Sequence, residues 1–193
     1  MSDPDPSYTV TPRMDVFDAI QRRHSVRSYL PDQIPQDTLR KVMEAARLAP
    51  SAANLQPWHF VVVTDPMKRK RLSEGRLFSR FLSECPIVVV GCAKRWPSTR
   101  WHVVDTTIAM ENIVLAATGE GLGTCWIGDF DEQLVKELLA IPNEFDIVAL
   151  LALGYPREGR DLLSEVEKRV MRRKQINEIA SREEYGRPFE TRR

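Results

Sequence analysis

Three short apolar runs constrain this chain more than any other feature. "WHFVVVTD", "PIVVVGCA" and "FDIVALLALGYP" are almost unbroken in valine, isoleucine and leucine, and lie between charged or helix-patterned segments. Runs of that length and β-branched content predict buried strands. The longest, Ile147 to Gly154, is too short to span a bilayer. Helical patterns occupy the intervals, so the chain alternates strand and helix around one buried sheet. Such an order suits a parallel βαβ arrangement, but periodicity alone leaves parallel and antiparallel pairing both open.

The helices are legible from spacing and punctuation. "MDVFDAIQRR" sets Val16, Phe17 and Ile20 on one face. A stronger helix is expected from Pro35 to Ala49, turning Leu39, Val42, Met43, Ala46 and Leu48 inward and stopping at Pro50. Asp65-Pro66 supplies an N-cap and a first-turn proline for a helix running towards Cys85. "VVDTTIAMENIVLAATGEG" is apolar on more than one face and should lie centrally. "TCWIG" reads as a short strand or extended turn, and "DEQLVKELLAI" as a helix capped by Asp129 or Asp131.

With 193 residues, 42% hydrophobic and 28% charged, and no repeat or linker, the chain is expected to form a single domain. A formal net charge of +1 gives no global reason to expect nucleic acid or an anionic membrane as partner. The N-terminus is polar and proline-rich, lacks the apolar stretch of a secretory signal, and is expected to be flexible over residues 1–13. Cys85, Cys92 and Cys125 form no CxxC pair, and His24, His59 and His102 are scattered. Reduced thiols, a cytoplasmic location and no metal are the resulting expectations.

Four stretches concentrate chemistry. "RRHSVRSY" gathers Arg22, Arg23 and Arg27 about Ser25 at a helix end; it suits a phosphate or polarised carbonyl, or simply complements the helix dipole. "PSAANLQPWHF" places small residues and Asn54 before a strand. Ser51 and Asn54 there serve either a tight turn or a planar ligand, while Trp58 and Phe60 read as core. In "GEGLGTCWIGDF" the GxGxG spacing closes a helix instead of opening one, so a dinucleotide fingerprint fails and a glycine C-cap explains Gly119 or Gly121. Gly128, beyond it, sits where an exposed backbone N–H can meet a ligand. "RVMRRKQ" is a basic cluster in a charged tail, either a solvated surface or further phosphate charge. No recognised nucleic-acid motif accompanies it. From Arg157 onward two outcomes stand, disorder or docking, with Tyr185 and Phe189 favouring docking. GxSxG is absent, and Cys125 has no histidine partner in sequence.

Taken in order, these stretches resemble the nitroreductase family of flavin enzymes. "RRHSVRSY", "APSAANLQPWHFVVV", "IAMENIVLAATGEGLGTCWIG", "LGYPRE" and "RRKQINEIASREEYG" are similar to its motifs from Met14 to Gly186. The resemblance implies an α+β fold with a mainly antiparallel sheet flanked by helices, in an intertwined homodimer binding two FMN at the subunit interface. It also implies a C-terminal extension, from about residue 157 to 193, packing on the partner subunit.

Carried over residue by residue, Arg23 and Ser25, with His24 between them, correspond to holders of the FMN phosphate. Arg27 corresponds to the cation near flavin N1 and the C2 carbonyl. Ser51, Ala52 and Asn54 correspond to the stretch contributed by the other subunit, Ile127 and Gly128 to the loop over the flavin, and Arg173, with Arg172 beside it, to the C-terminal phosphate contact. Ala52 stands where many members have serine, and Asp129 where a second glycine is common. The implied activity passes hydride from NADH or NADPH through flavin N5 to a small electron-poor acceptor, such as a nitroaromatic or quinone, by ping-pong kinetics. No side chain is assigned as catalytic. Within the same resemblance stand reductive dehalogenation, flavin fragmentation to dimethylbenzimidazole, and a flavin carrier or redox sensor without turnover.

Overall fold

The computed structural model describes residues 14–74, 77–157 and 173–190, and the chain divides into two compact units, Met1–Asp161 and Leu162–Arg193. The expectations for residues 1–13 and for Arg172 lie outside the described residues.

In the first unit the elements run α1 (Val16–Arg22), α2 (Gln36–Arg47), β1 (Trp58–Val63), α3 (Pro66–Ser73), β2 (Ile87–Lys94), α4 (His102–Gly119), β3 (Gly123–Ile127), α5 (Glu132–Leu139) and β4 (Phe145–Gly154). The strands form one sheet in the order β1-β2-β4-β3, and every neighbouring pair is antiparallel. The fold is therefore α+β, as the resemblance implies. The parallel alternative fails because pairing partners are set by non-local contacts that element order does not encode.

Both faces of the sheet are covered, which is why its strands read as continuous apolar runs. Alternation along β2 sends Val88, Val90 and Cys92 to one core, and Ile87 and Val89 to the other. The first core is completed by Leu72, Leu82 and Val135, from α3, the turn after it and α5. The second receives Val42 and Ala46 of α2, and Ala109, Met110, Ile113 and Val114 of α4. A Cβ on Gly91 would stand 2.2 Å from Met110 Sδ, so a side chain there would displace the buried Met110. Trp58 and Phe60 are partly buried against this second core.

The caps follow the sequence closely. Asp15 accepts from the N–H groups of Phe17 and Asp18 at 2.7 and 2.9 Å. Asp65 accepts from Met67 and Lys68 at 2.8 and 2.9 Å. For α5 the cap is Asp131, which accepts from Leu134 N at 3.0 Å. Gly121, at φ 75°, ends α4 in the left-handed conformation, and Leu122 N reaches back to Ala117 O at 2.8 Å.

Two expectations are corrected. Leu48 is 65% exposed, because the buried stripe of α2 continues from Val42 and Ala46 to Ala49, and position 48 falls on the opposite side. The helix after Asp65 does not run on to Cys85. Glu74 turns extended (φ −82°, ψ 150°), and residues Leu77–Ser83 form a separate 3-10 stretch. The face of α1 carrying Val16, Phe17 and Ile20 is exposed, as are Val103, Val104 and Ile108 of α4.

In the second unit a single-turn helix, α6 (Ile176–Ile179), opens with a capping box in which Gln175 N donates to Glu178 Oε2 at 2.7 Å. Asn177 closes the stretch onto itself, with Oδ1 accepting from Glu190 N at 2.9 Å. Arg173 is exposed, and Tyr185 is fully so.

Candidate functional site

Arg23 ends α1, its N–H donating to Ala19 O at 3.0 Å, and its extended ψ of 126° turns the chain towards β3. Ser25 bridges Thr124 in parallel fashion, and Val26 N donates to Thr124 O at 2.9 Å. This approach requires Gly123, where a Cβ would stand 2.7 Å from Val26 Cγ2. Beyond it, Tyr29 is buried and donates its hydroxyl to Val26 O at 2.6 Å. The segment carrying Arg23, His24, Ser25 and Arg27 is thus held as an extra extended edge beside β3. All four are half-buried, with backbone on one side and solvent on the other. His24 Nδ1 lies 3.0 Å from Arg22 O, which fixes the imidazole against its own backbone.

A cavity of about 160 Å³ opens at this junction, lined by Arg22, Arg23 and His24 together with the Gly121–Thr124 turn. Arg157 N donates to Ser28 O at 3.0 Å, bringing a further guanidinium to the segment's far end. Its Nε is buried without a hydrogen-bond partner among the described residues. Sequence reasoning missed Arg157, although the "LGYPRE" motif contains it. Ile127 is buried as the last paired residue of β3, and Gly128 follows it, exposed. A Cβ on Gly128 would meet nothing within 4 Å and its φ is not positive, so local packing does not demand a glycine there. Asp129 is exposed beside it.

The second candidate stretch has a different character. Ala53, Asn54 and Gln56 take positive φ values of 49°, 54° and 48°, each costing about 1–2 kcal/mol for a residue other than glycine. Strain of this kind persists only where surrounding contacts fix it. Ser51 Oγ accepts from Gln56 N at 2.9 Å, and Gln56 Nε2 lies 3.2 Å from Asn54 Oδ1. A long-range tie joins these local ones: Ala52 N donates to Oδ2 of Asp105 at 3.2 Å. Asp105 is 3% exposed and sits in the first turn of α4. Sequence reasoning did not single it out. The only signal was an acidic residue on an otherwise apolar stripe. The chain therefore leaves the helical path at Pro50 for a reason beyond chain reversal, since the residues that follow form a strained turn tied to α4.

The structure joins Arg23–Arg27 to the β3 end, and ties Ser51–Asn54 to α4 instead. Neither grouping contains a nucleophile with an adjacent base. The Cys85 and Cys92 thiols are pushed up to about 12 and about 11 by burial, which makes them poor thiolates. Among the described residues, no group of three or more His, Cys, Asp and Glu is arranged to hold a metal, and no helix is long and apolar enough to cross a membrane. What the arrangement offers is a set of guanidinium, hydroxyl and backbone donors along one edge. Such a set suits an anionic group.

Comparison with known proteins gives the family. The Nitroreductase family profile matches residues 20–76 and 76–155. A protein of Archaeoglobus fulgidus, provisionally named NADH dehydrogenase/NAD(P)H nitroreductase, is 38% identical over 150 residues, spanning 74% of this chain and 86% of the relative. The 5,6-dimethylbenzimidazole synthase of Rhodospirillum rubrum is 31% identical over 188 residues, spanning 80% and 86%. The structure of an FMN-dependent nitroreductase from Clostridium difficile R20291 superposes with a TM-score of 0.69 at 28% identity, covering 81% of this chain and 98% of that one. With a profile match across most of the chain and relatives above 30% identity, the protein belongs to the nitroreductase family.

Proposed function

We propose that this chain is an FMN-dependent oxidoreductase that transfers hydride from NADH or NADPH to an electron-poor acceptor such as a nitroaromatic or quinone. The observation that carries the reading is the Arg23–Arg27 edge fastened to β3 by the Val26–Thr124 hydrogen bond, within a chain of this family. The residues fit FMN in kind: Arg22, Arg23 and His24 line a cavity at one end of that edge, and Arg157, whose backbone N–H meets Ser28 O, has a buried Nε with no hydrogen-bond partner among the described residues. Relatives named as NAD(P)H- and FMN-dependent supply the donor and the cofactor.

In this reading Arg23, His24 and Ser25 bind the phosphate, with Arg173 and Arg172 adding charge from the C-terminal extension. Arg27 sets a fixed cation at the pyrimidine end, where negative charge develops, and preorganised charge of that kind lowers the barrier without reorganisation. Ile127 supports the ring and Gly128 presents its N–H, while Ser51, Ala52 and Asn54 complete the site from the partner subunit. When bound, FMN would supply the two-electron redox chemistry. The chain's own task is to hold, orient and exclude. The reading includes a homodimer, supported by the exposed apolar faces, Val16, Phe17 and Ile20 on α1 and Val103, Val104 and Ile108 on α4, since clustered exposed apolar surface is the kind that interfaces cover. One domain per subunit, a C-terminal extension lying on the partner and a cytoplasmic location complete the reading.

The test is aerobic turnover with benzoquinone, in which NADH, a proton and quinone give NAD+ and hydroquinone. Steady consumption of many equivalents of NADH or NADPH per protein supports the oxidoreductase. Consumption of no more than one equivalent refutes it and leaves a carrier or sensor. A second reading is favoured by the 31% identity to 5,6-dimethylbenzimidazole synthase. Recovery of intact FMN after aerobic reduction, against loss of the isoalloxazine spectrum, separates the two.

A further inference from the structure

We propose that Arg100 and Trp101 form a platform for the electron acceptor, selective for a planar, electron-poor aromatic that carries a carboxylate. The proposal rests on the oxidoreductase reading and names the class of acceptor that the same site takes.

The position comes from two ties. At one end of the strained turn, Pro57 O accepts from Lys94 N at 2.7 Å, next to the Trp58–Ala93 pair of β1 and β2. At the other end, Ala52 N donates to Asp105 at 3.2 Å. The stretch from Lys94 to Asp105 is therefore fastened alongside the stretch from Ala52 to Pro57 at both of its ends. Trp101 lies one helical turn before Asp105, whose N–H donates to Trp101 O at 2.8 Å. Residues four apart share a helix face with Cβ atoms about 5–6 Å apart. That face passes within one turn from a carboxylate that is 3% exposed to an indole that is 46% exposed. The open ring thus sits beside the segment assigned to the cofactor.

Charge fixes the kind of ligand. Lys94 and Arg95 are committed, pairing with Glu144 and Asp146 respectively. Arg100 forms no ion pair among the described residues, and its guanidinium lies 5.4 Å from the centre of the Trp101 ring. An electron-rich indole stacks with an electron-poor arene, and a guanidinium takes a carboxylate through two parallel hydrogen bonds. Together they read a flat ring and an anion at once. A quinone without charge engages only the first half.

The test is calorimetric titration of the FMN-loaded protein with 4-nitrobenzoate and, separately, with neutral nitrobenzene, followed by NADH initial rates with benzoquinone. Wild type is expected to bind 4-nitrobenzoate more tightly. R100A should weaken it roughly three- to tenfold, as expected for a partly exposed charge contact, and leave nitrobenzene unchanged. R100K should recover part of the loss, and W101A should weaken both ligands. The kcat/KM for NADH should stay constant throughout. Preference for the anion that survives R100A, failure of wild type to bind 4-nitrobenzoate, or a change confined to kcat/KM for NADH would each overturn the platform. The titrations need no turnover. Absence of charge discrimination in the wild type, with intact quinone reduction, therefore refutes the platform alone, whereas wild-type discrimination without turnover refutes the oxidoreductase reading alone.

Discussion

Asp105→Ala is the perturbation that bears most directly on the strained turn. The carboxylate reaches across 53 residues of sequence to Ala52 N, and it is the side-chain tie, beside the backbone bond from Lys94 N to Pro57 O, on a segment holding three non-glycine residues at positive φ. A hydrogen bond to a carboxylate contributes about 1.5–3 kcal/mol where it is sheltered from water. The three residues store several kcal/mol of strain between them, so freeing Ala52 lets the turn relax into more open conformations. If the tether's full contribution appears in the competent population, FMN affinity falls about 10- to 150-fold, since each 1.4 kcal/mol is a factor of ten. Global stability should change less, because alanine also removes a polar group from a buried position.

The assay is quenching of flavin fluorescence on titrating the apoprotein, run beside a urea denaturation of each variant. Asp105→Asn retains an acceptor oxygen and should keep affinity within about tenfold of wild type, as a neutral hydrogen bond replaces a charge-assisted one. Wild-type affinity in a folded Asp105→Ala protein would refute the tether. Equal loss in the asparagine and alanine variants would mean that burial, not the hydrogen bond, is what matters.

Three further outcomes follow from separate parts of the molecule. Gly123→Ala forces a Cβ to within 2.7 Å of Val26 and should cost about 1–3 kcal/mol in urea denaturation together with FMN affinity, whereas Gly128→Ala meets open space and should leave stability within about 0.5 kcal/mol of wild type. Arg27→Ala should retain FMN but lower its midpoint potential in spectroelectrochemical titration, and an unchanged potential would remove the assigned role. Asp146 is held below the usual carboxylate range by its hydrogen bond with Arg95, against the opposing effect of burial and with help from His102 at 2.8 Å. Its stabilising effect is present above a pH of about 4, the unfolded value, and disappears as pH falls through the lower folded value. The gap in urea midpoint between wild type and Asp146→Asn should therefore narrow on acidification, and a gap that widens would reverse the assignment.

Much of this architecture can be read from spacing. The valine and leucine runs become β1, β2 and β4, Asp65-Pro66 starts α3, and Gly121 closes α4, because each signal is local and its cause is local too. Leu48 misled because an apolar residue at a helix end looks inward until the stripe is followed through Ala49. Sheet order was not legible, since which strands pair depends on contacts far apart in sequence. The site divides in the same way. Arg23, Ser25 and Gly128 stand in recognisable motifs, and the structure joins the first two to the strand that leads to the third. Asp105 and the positive φ values at Ala53, Asn54 and Gln56 leave no local mark: alanine and glutamine do not advertise a left-handed backbone, and an aspartate in a helix reads as ordinary. Gly123 appeared only as part of a misleading GxGxG, and its actual purpose, room for Val26, depends on a neighbour far away in sequence.

The most direct measurement of the central claim is anaerobic addition of NADH, and separately NADPH, to FMN-loaded protein while following oxidised flavin absorbance. The account predicts rapid bleaching by at least one of them and full recovery on adding benzoquinone. Absorbance that persists with both donors would contradict it.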